Sequence, residues 1–292
     1  MDVGTNTTRL LIAKILSGEV RVIKTGMITT RLGEGIGRQP YLLGPAIERT
    51  VEALLNFRKI IQETGAEKVL AVATSAVRDA ANQAEFLQEV KNRVGWDIRV
   101  LPGTEEAELS YLGASCGLKT GISEPLVIDI GGGSTEFIWR GTNGLNGTSV
   151  RLGAVRMTEN DCTLANIKEM LARLLSSVKE RGIRNLVGVG GTLTTLAAVD
   201  QKLEEYDPDK VHGYFLKRQK VEQILGRFEK MTLDERKQVP GLQPERADIV
   251  TAGVRIALAV MEGLDAEGVT VSETGIMHGI LYKDLKAEKN FF

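Results

Sequence analysis

The chain has 292 residues, which at roughly 100–200 residues per domain points to two domains. Its 42% hydrophobic and 26% charged residues exclude disordered and collagen-like chains. Its 37 Lys+Arg against 38 Asp+Glu give a net charge of −1, which argues against nucleic-acid or membrane partners, although a small basic patch fits inside that balance. Cys116 and Cys162 are too few for a disulfide scaffold or a four-cysteine zinc site, so a reduced, cytoplasmic chain is the default. His212 and His278 alone cannot build a histidine-rich metal centre, and no run of 18 apolar residues or signal peptide is read. Glycine is the unusual residue: 32 copies, about 11% against a typical ~7%.

Strands and helices alternate along the chain, the pattern of an α/β protein. Residues 8–16 and 20–25 read as the start of an antiparallel meander turning at Ser17-Gly18. A helix follows over 46–64, with Pro45 suited to its first position and Gly65 to its stop. VLAVAT (69–74) reads as a continuous buried strand, 83–94 as a helix closed by Gly95, and 98–101 as a strand. The second half offers strands at 126–130, 135–139 and 148–152, a helix near 164–181, a strand at 185–189 and a helix from about 192. After a polar stretch over 200–215 come helices at 217–230 and 245–263, a strand at 268–272 and a last helix at 277–288. The pattern places an N-terminal lobe at 1–115 and a C-terminal lobe at 116–279, with a helix at about 280–292 returning to the first lobe.

A repeat links the halves. DVGTNTT (2–8) and DIGGGST (129–135) share D-[apolar]-G-x-x-[ST]-[ST], 127 residues apart. This predicts two related units facing each other across a cleft. In the second copy a buried strand ends at Asp129 and three glycines follow. Without Cβ atoms their N–H groups can approach an anion as a nest, and Ser134 and Thr135 add hydroxyl donors. Asp129 repels phosphate but can hold a hydrated Mg²⁺, and Glu136 can serve the same ion. A tight hairpin without a ligand is the alternative; duplication of the Asp favours the functional reading. GVGGTLTT (188–195) is a third such loop, at a helix start where anions are favoured. No Walker GK[ST] occurs.

In LPGTEEAELSY (101–111), Thr104 reads as an N-cap, with Glu105 and Glu106 in the first helical turn. The helix dipole alone accounts for such acids; alternatively one of them faces the cleft and orients a water for attack on phosphorus. Arg78, just after a strand end, suits phosphate as a bidentate guanidinium.

With these motifs in place, the sequence resembles the exopolyphosphatase / guanosine pentaphosphate phosphohydrolase family of the actin/hexokinase/heat-shock ATPase superfamily. The segments at 2–12, 31–36, 74–82, 102–114 and 127–138 match family motifs in order, as do those at 151–159, 188–198, 212–216, 241–253 and 271–281. The resemblance implies a duplicated, two-lobed, ribonuclease H-like α/β fold with an interdomain active site. It implies that Glu106 activates the attacking water and that Asp2, Asp129 and Glu136 form the magnesium side. Gly4, Thr5, Asn6, Arg9, Arg78, Gly132, Gly133, Ser134, Gly190, Gly191 and Thr192 match phosphate-facing positions. Polyphosphate or guanosine pentaphosphate is the implied substrate, Mg²⁺ the cofactor and a homodimer the implied assembly.

Three departures stand out. Relatives carry several apolar residues ahead of the first Asp, so a short first strand is expected after Met1. The family's G-[LI]-R-E-G is here Gly275-Ile-Met-His-Gly279, which loses a charge pair and leaves His278 in a structural role. A helical extension of longer relatives is lacking, so a shorter groove and shorter substrates are expected. A small-molecule kinase, a non-catalytic alarmone sensor and an iron–sulfur reductase activator are the competing readings; the two cysteines fit apolar packing better than cluster ligation.

Overall fold

The computed structural model describes residues 1–16, 19–118, 122, 124–142, 144–183 and 185–289; the expected turn at Ser17-Gly18 lies outside them. Strands β1 (Asp2–Val3), β2 (Thr7–Leu16), β3 (Glu19–Thr29), β4 (Val72–Ala73) and β5 (Arg99–Val100) form a sheet in the order β3-β2-β1-β4-β5. Strands β6 (Leu126–Ile130), β7 (Thr135–Gly141), β8 (Gly144–Val150), β9 (Leu186–Val189), β10 (Phe215–Lys217) and β11 (Gly268–Val271) form a second, in the order β10-β11-β9-β6-β7-β8. In each, a central strand runs antiparallel to its hairpin partner and parallel to the strand on its other side. The order β3-β2-β1-β4-β5 therefore recurs as β8-β7-β6-β9-β11, with β10 added at the edge. The α/β duplication expected from the sequence repeat is present in the topology itself.

Helices α1 (Gly44–Thr64), α2 (Ser75–Asp79), α3 (Gln83–Val94) and α4 (Gly103–Gly117) belong to the first half of the chain. Then come α5 (Ala154–Glu159), α6 (Leu164–Lys179), α7 (Gly191–Asp200), α8 (Pro208–Val211), α9 (Arg218–Phe228), α10 (Leu233–Lys237), α11 (Val250–Gly263) and α12 (Ile276–Lys289). Helix α1 begins with Pro45 in its first turn and ends at Gly65, whose φ of 71° glycine adopts without strain. Its Val51, Leu54, Phe57 and Ile61 share one face and pack with Phe86, Val90 and Val94 of α3 in the core of the first sheet. Each such side chain contributes about 1.5–3 kcal/mol on full burial. The larger core lies around the second sheet, where Ile128 and Phe137 meet apolar faces of α6, α7 and α11.

Helix α4 is buried on two sides. Ala107, Tyr111 and Ala114 pack on Val127, Ile138, Val187 and Val189 of the second sheet. Leu109 packs with Val72, Leu101 and Ile276 instead. The junction expected near residue 115 thus falls inside a helix whose packing is shared, and α12 returns to make an ion pair from Asp284 to Lys68.

Several elements differ from expectation. The strand over 69–74 shrinks to Val72–Ala73, because its neighbour β1 offers only Asp2 and Val3 for pairing, and Val69 is left exposed. Thr104 does not cap α4: the helix starts at Gly103 after Pro102, without a side-chain cap. Strand β8 starts at Gly144, zipped to β7 through its register despite a Gly/Asn-rich sequence. Helices α2, α5, α8 and α10 and strand β10 are too short to leave a readable period.

Candidate active site

Both expected turns close in the same way. The Gly4 amide donates to the Thr7 carbonyl at 3.1 Å, and the Gly131 amide to the Ser134 carbonyl at 3.0 Å. Between them, the backbone amides of Thr5, Asn6, Gly132 and Gly133 make no hydrogen bond among the described residues. These residues line one cavity between the sheets, together with Asp2, Gly4, Arg9, Glu106, Asp129, Ser134, Gly190, Gly191 and Thr192. Gly190 has φ 93°, which lets β9 turn sharply into α7 and points that helix's unpaired first-turn amides at the cavity. A Cβ on Gly132 would sit 3.0 Å from the Thr5 Cβ, so the two turns touch.

The acids stand beneath these donors. Asp2 and Asp129 occupy equivalent places on the central strands, opposite Arg9 and Glu136 respectively. Ser110 Oγ donates to Asp129 Oδ2 at 2.7 Å, and Ser149 Oγ to Glu136 Oε1 at 2.7 Å. Burial pushes Asp2 up to about 6 and Glu136, also facing Asp129, up to about 7. Asp129 is raised as well, by burial. Glu106, 5% exposed in the first turn of α4, is raised well above the usual carboxylate range by burial and then by Glu136, against the pull of Arg78.

Arg78 is placed differently from expectation. Helix α2 aims it back over Leu101, where Nη1 meets Glu106 Oε2 at 2.5 Å and the Leu101 carbonyl at 3.0 Å. It does not line the cavity, and neither does Glu136, which lies behind Asp129. Thr135 turns away from the cavity and donates to the Leu152 carbonyl at 2.5 Å.

Sequence reasoning missed Arg246. It ends the 3₁₀ turn Pro244–Arg246, is buried, and donates to Thr7 Oγ1 at 3.2 Å and Gln243 Oε1 at 3.0 Å. Among the described residues it makes no ion pair, and burial together with Arg9 pushes it down to about 9. The GLQPERADI segment flagged the region but not the residue. The Arg9 side chain makes no hydrogen bond or ion pair among the described residues, although its charge reaches the buried acids Asp2, Asp129 and Glu273. Two guanidinia in one cavity that close no ion pair among the described residues leave donors for an anion.

The Gly275–Gly279 departure also reaches the cavity, since Met277 and His278 line it. Burial and the neighbouring His212 push His278 down to about 4, so it is neutral near pH 7. His212 Nδ1 accepts from the Glu273 amide, so Nε2 carries the proton and donates to the Gly117 carbonyl. Glu273, held by the Tyr206 hydroxyl, is raised to about 7 by burial. Cys116 is exposed on α4 rather than packed as expected.

The acids fit a magnesium ion that keeps much of its water. Asp2 Oδ1 is buried without a partner, and Asp129 and Glu136 repel each other across the β6–β7 ladder. Among the described residues no three His, Cys, Asp or Glu side chains close into a cage. Mg²⁺ is commonly held by one or two carboxylates plus water and substrate phosphates, which suits this donor set. Asp2 and Asp129, which line the cavity, are the carboxylates of that set, whereas Glu136 does not line it.

A cleft with guanidinia and unbonded backbone amides beside raised carboxylates, set between duplicated α/β halves, suits an enzyme that works on phosphate groups. The chain belongs to the Ppx/GppA phosphatase family, whose profile matches residues 11–288. Exopolyphosphatase 2 of Mycobacterium tuberculosis is 32% identical over 305 residues, covering 96% of both chains. A bifunctional 3-dehydroquinate synthase/phosphatase of Fusobacterium nucleatum is 29% identical over 98% of this chain, which spans only 46% of that protein. Among solved structures, a Ppx/GppA family member from Aquifex aeolicus has a TM-score of 0.81 at 33% identity, covering 98% of this chain and 96% of that one. An exopolyphosphatase from Cytophaga hutchinsonii has a TM-score of 0.89 at 27% identity, with the same coverage. Among the described residues no helix is long and apolar enough to cross a membrane.

Proposed function

We propose that this chain hydrolyses the terminal phosphoanhydride of inorganic polyphosphate, guanosine pentaphosphate or both, with magnesium as cofactor and Glu106 as the base. The observation that carries the reading is the position of Glu106: a buried carboxylate in the cavity that holds both glycine turns, fixed at 2.5 Å by Arg78. A base works best with a pKa near the working pH, and burial lifts Glu106 in that direction. Water gives its proton to Glu106 as its oxygen bonds to the terminal phosphorus. The bond to the bridging oxygen breaks, and the shortened chain leaves as an anion. Arg9, Arg246 and the free amides of the turns hold the phosphoryl oxygens and spread the developing charge. Bound magnesium supplies further neutralisation of phosphate charge. A homodimer working in the cytoplasm is part of the same proposal, and sedimentation velocity tests its assembly.

The test is phosphate release from polyphosphate and from guanosine pentaphosphate, with and without Mg²⁺, for the wild type and Glu106→Gln. Magnesium-dependent release that Glu106→Gln abolishes is expected. A wild type as inert as the variant on both compounds would point to a binding protein instead.

A further inference from the structure

Glu105 and Glu106 are neighbours in the first turn of α4, about 100° apart around the helix axis, and they do different work. Glu106 points into the cavity. Glu105 points the other way and gives each of its oxygens to a separate cation: Oε2 accepts from Arg99 Nη1 at 2.6 Å, and Oε1 from Lys283 Nζ at 3.0 Å. Arg99 sits on β5 of the first sheet and Lys283 on α12. One carboxylate therefore joins three elements.

The local backbone makes this anchor matter. Pro102 precedes the helix and no side chain caps its first turn, so the setting of that turn depends on what its side chains grip. Further along, α4 and α12 pack backbone against backbone. A Cβ on Gly113 would overlap the Gly275 carbonyl, and one on Gly279 would overlap the Leu109 carbonyl. The two helices thus leave no room for a side chain between them at these points, and Glu105 fastens the start of α4 to the sheet edge beside β4. Arg78, the partner of Glu106, follows β4 on α2. Loosening Glu105 lets the helix start shift against Arg78, and Glu106 loses its aim.

We propose that Glu105 is a positioning residue for Glu106, acting through Arg99 and Lys283; the inference rests on Glu106 being the base. Both cations compete with water at the surface, so as an exposed salt bridge the cluster contributes little to stability. Its effect is expected in geometry, where a misplacement of about 1 Å costs on the order of 100-fold in rate.

The experiment is steady-state phosphate release with Glu105→Gln, Lys283→Met and Lys283→Arg, alongside Glu106→Gln and thermal melts. Glu105→Gln is expected to lower kcat about tenfold with KM within about twofold. Lys283→Met, on an exposed side chain that folding does not require, is expected to lower kcat about threefold, and Lys283→Arg to restore it. Glu105→Gln and Lys283→Met both at wild-type kcat, beside an inactive Glu106→Gln, would overturn the inference while leaving the base in place. A fall in kcat matched by an equal rise in KM would also overturn it, as general loosening. If Glu106→Gln itself turned over normally, the base assignment would fall first.

Discussion

Arg9 and Glu136 hold the same place in the two halves of the molecule. Arg9 lies in register with Asp2 across β1–β2, and Glu136 lies in register with Asp129 across β6–β7. The repeat kept the strand-end aspartate in both units and put opposite charges across from it. One strand therefore sets a cation opposite its aspartate, and the other sets an acid there that raises Glu106.

That asymmetry predicts a binding defect on one side. Arg9→Met removes a guanidinium that closes no ion pair among the described residues but holds down Asp2, Asp129 and Glu273, so those acids rise further and an anion loses a charged hydrogen bond. At about 1.5–3 kcal/mol for such a bond, KM for polyphosphate should rise about 10- to 100-fold with a smaller change in kcat. An unchanged KM would show that the anion lies elsewhere.

Arg78 should act on the protonation of Glu106. The guanidinium lowers the Glu106 pKa against burial and the nearby acids, so Arg78→Met should raise it further. Because the base must be ionised, the acid limb of the kcat–pH profile should move to higher pH, and activity lost at neutrality should partly return as pH rises. A uniform loss at every pH would mean that Arg78 contacts phosphate directly.

Glu273 should make stability depend on pH. Burial raises its carboxyl from the ordinary 4.5 to about 7 in the fold, so between these values the folded chain holds a proton that the unfolded chain has released. The contribution is fully present below about pH 4.5, declines as pH rises toward about 7, and levels off above that. Denaturant melts from pH 4.5 to 8 should show this slope, and Glu273→Gln should make it shallower, the remainder coming from Asp2 and Glu136. Parallel curves for the two proteins would exclude the assignment.

Gly113→Ala tests the α4–α12 seam. Alanine gains about 1 kcal/mol of helix propensity, but its methyl would overlap a backbone carbonyl that cannot rotate aside. Overpacking should win, lowering stability by about 1–3 kcal/mol in chemical denaturation. A more stable variant would mean that the helices can part freely.

Much of this was legible in the chain, because the signals were local and repeated. The two D-[apolar]-G turns announced the duplication, and Pro45 and Gly65 bracketed α1 within two residues at its start and at its last residue. Spacing alone could not say whether Glu105 or Glu106 faced inward; Glu106 lines the cavity and Glu105 does not. Arg246 and the redirected Arg78 were not readable. Their roles depend on which way a short helix or 3₁₀ turn aims one side chain across the cleft, and five residues carry no period. The strand over 69–74 misled because apolar content signals burial, while strand length here follows from the partner's length.

The contact between Thr5 and the Gly132–Gly133 turn has a simple geometric result. The two turns meet there so closely that a methyl group on either glycine would press on Thr5. On the proposed reading, a chain-like anion entering the cavity would meet this closed seam with its tip, leaving its outermost link nearest the turns.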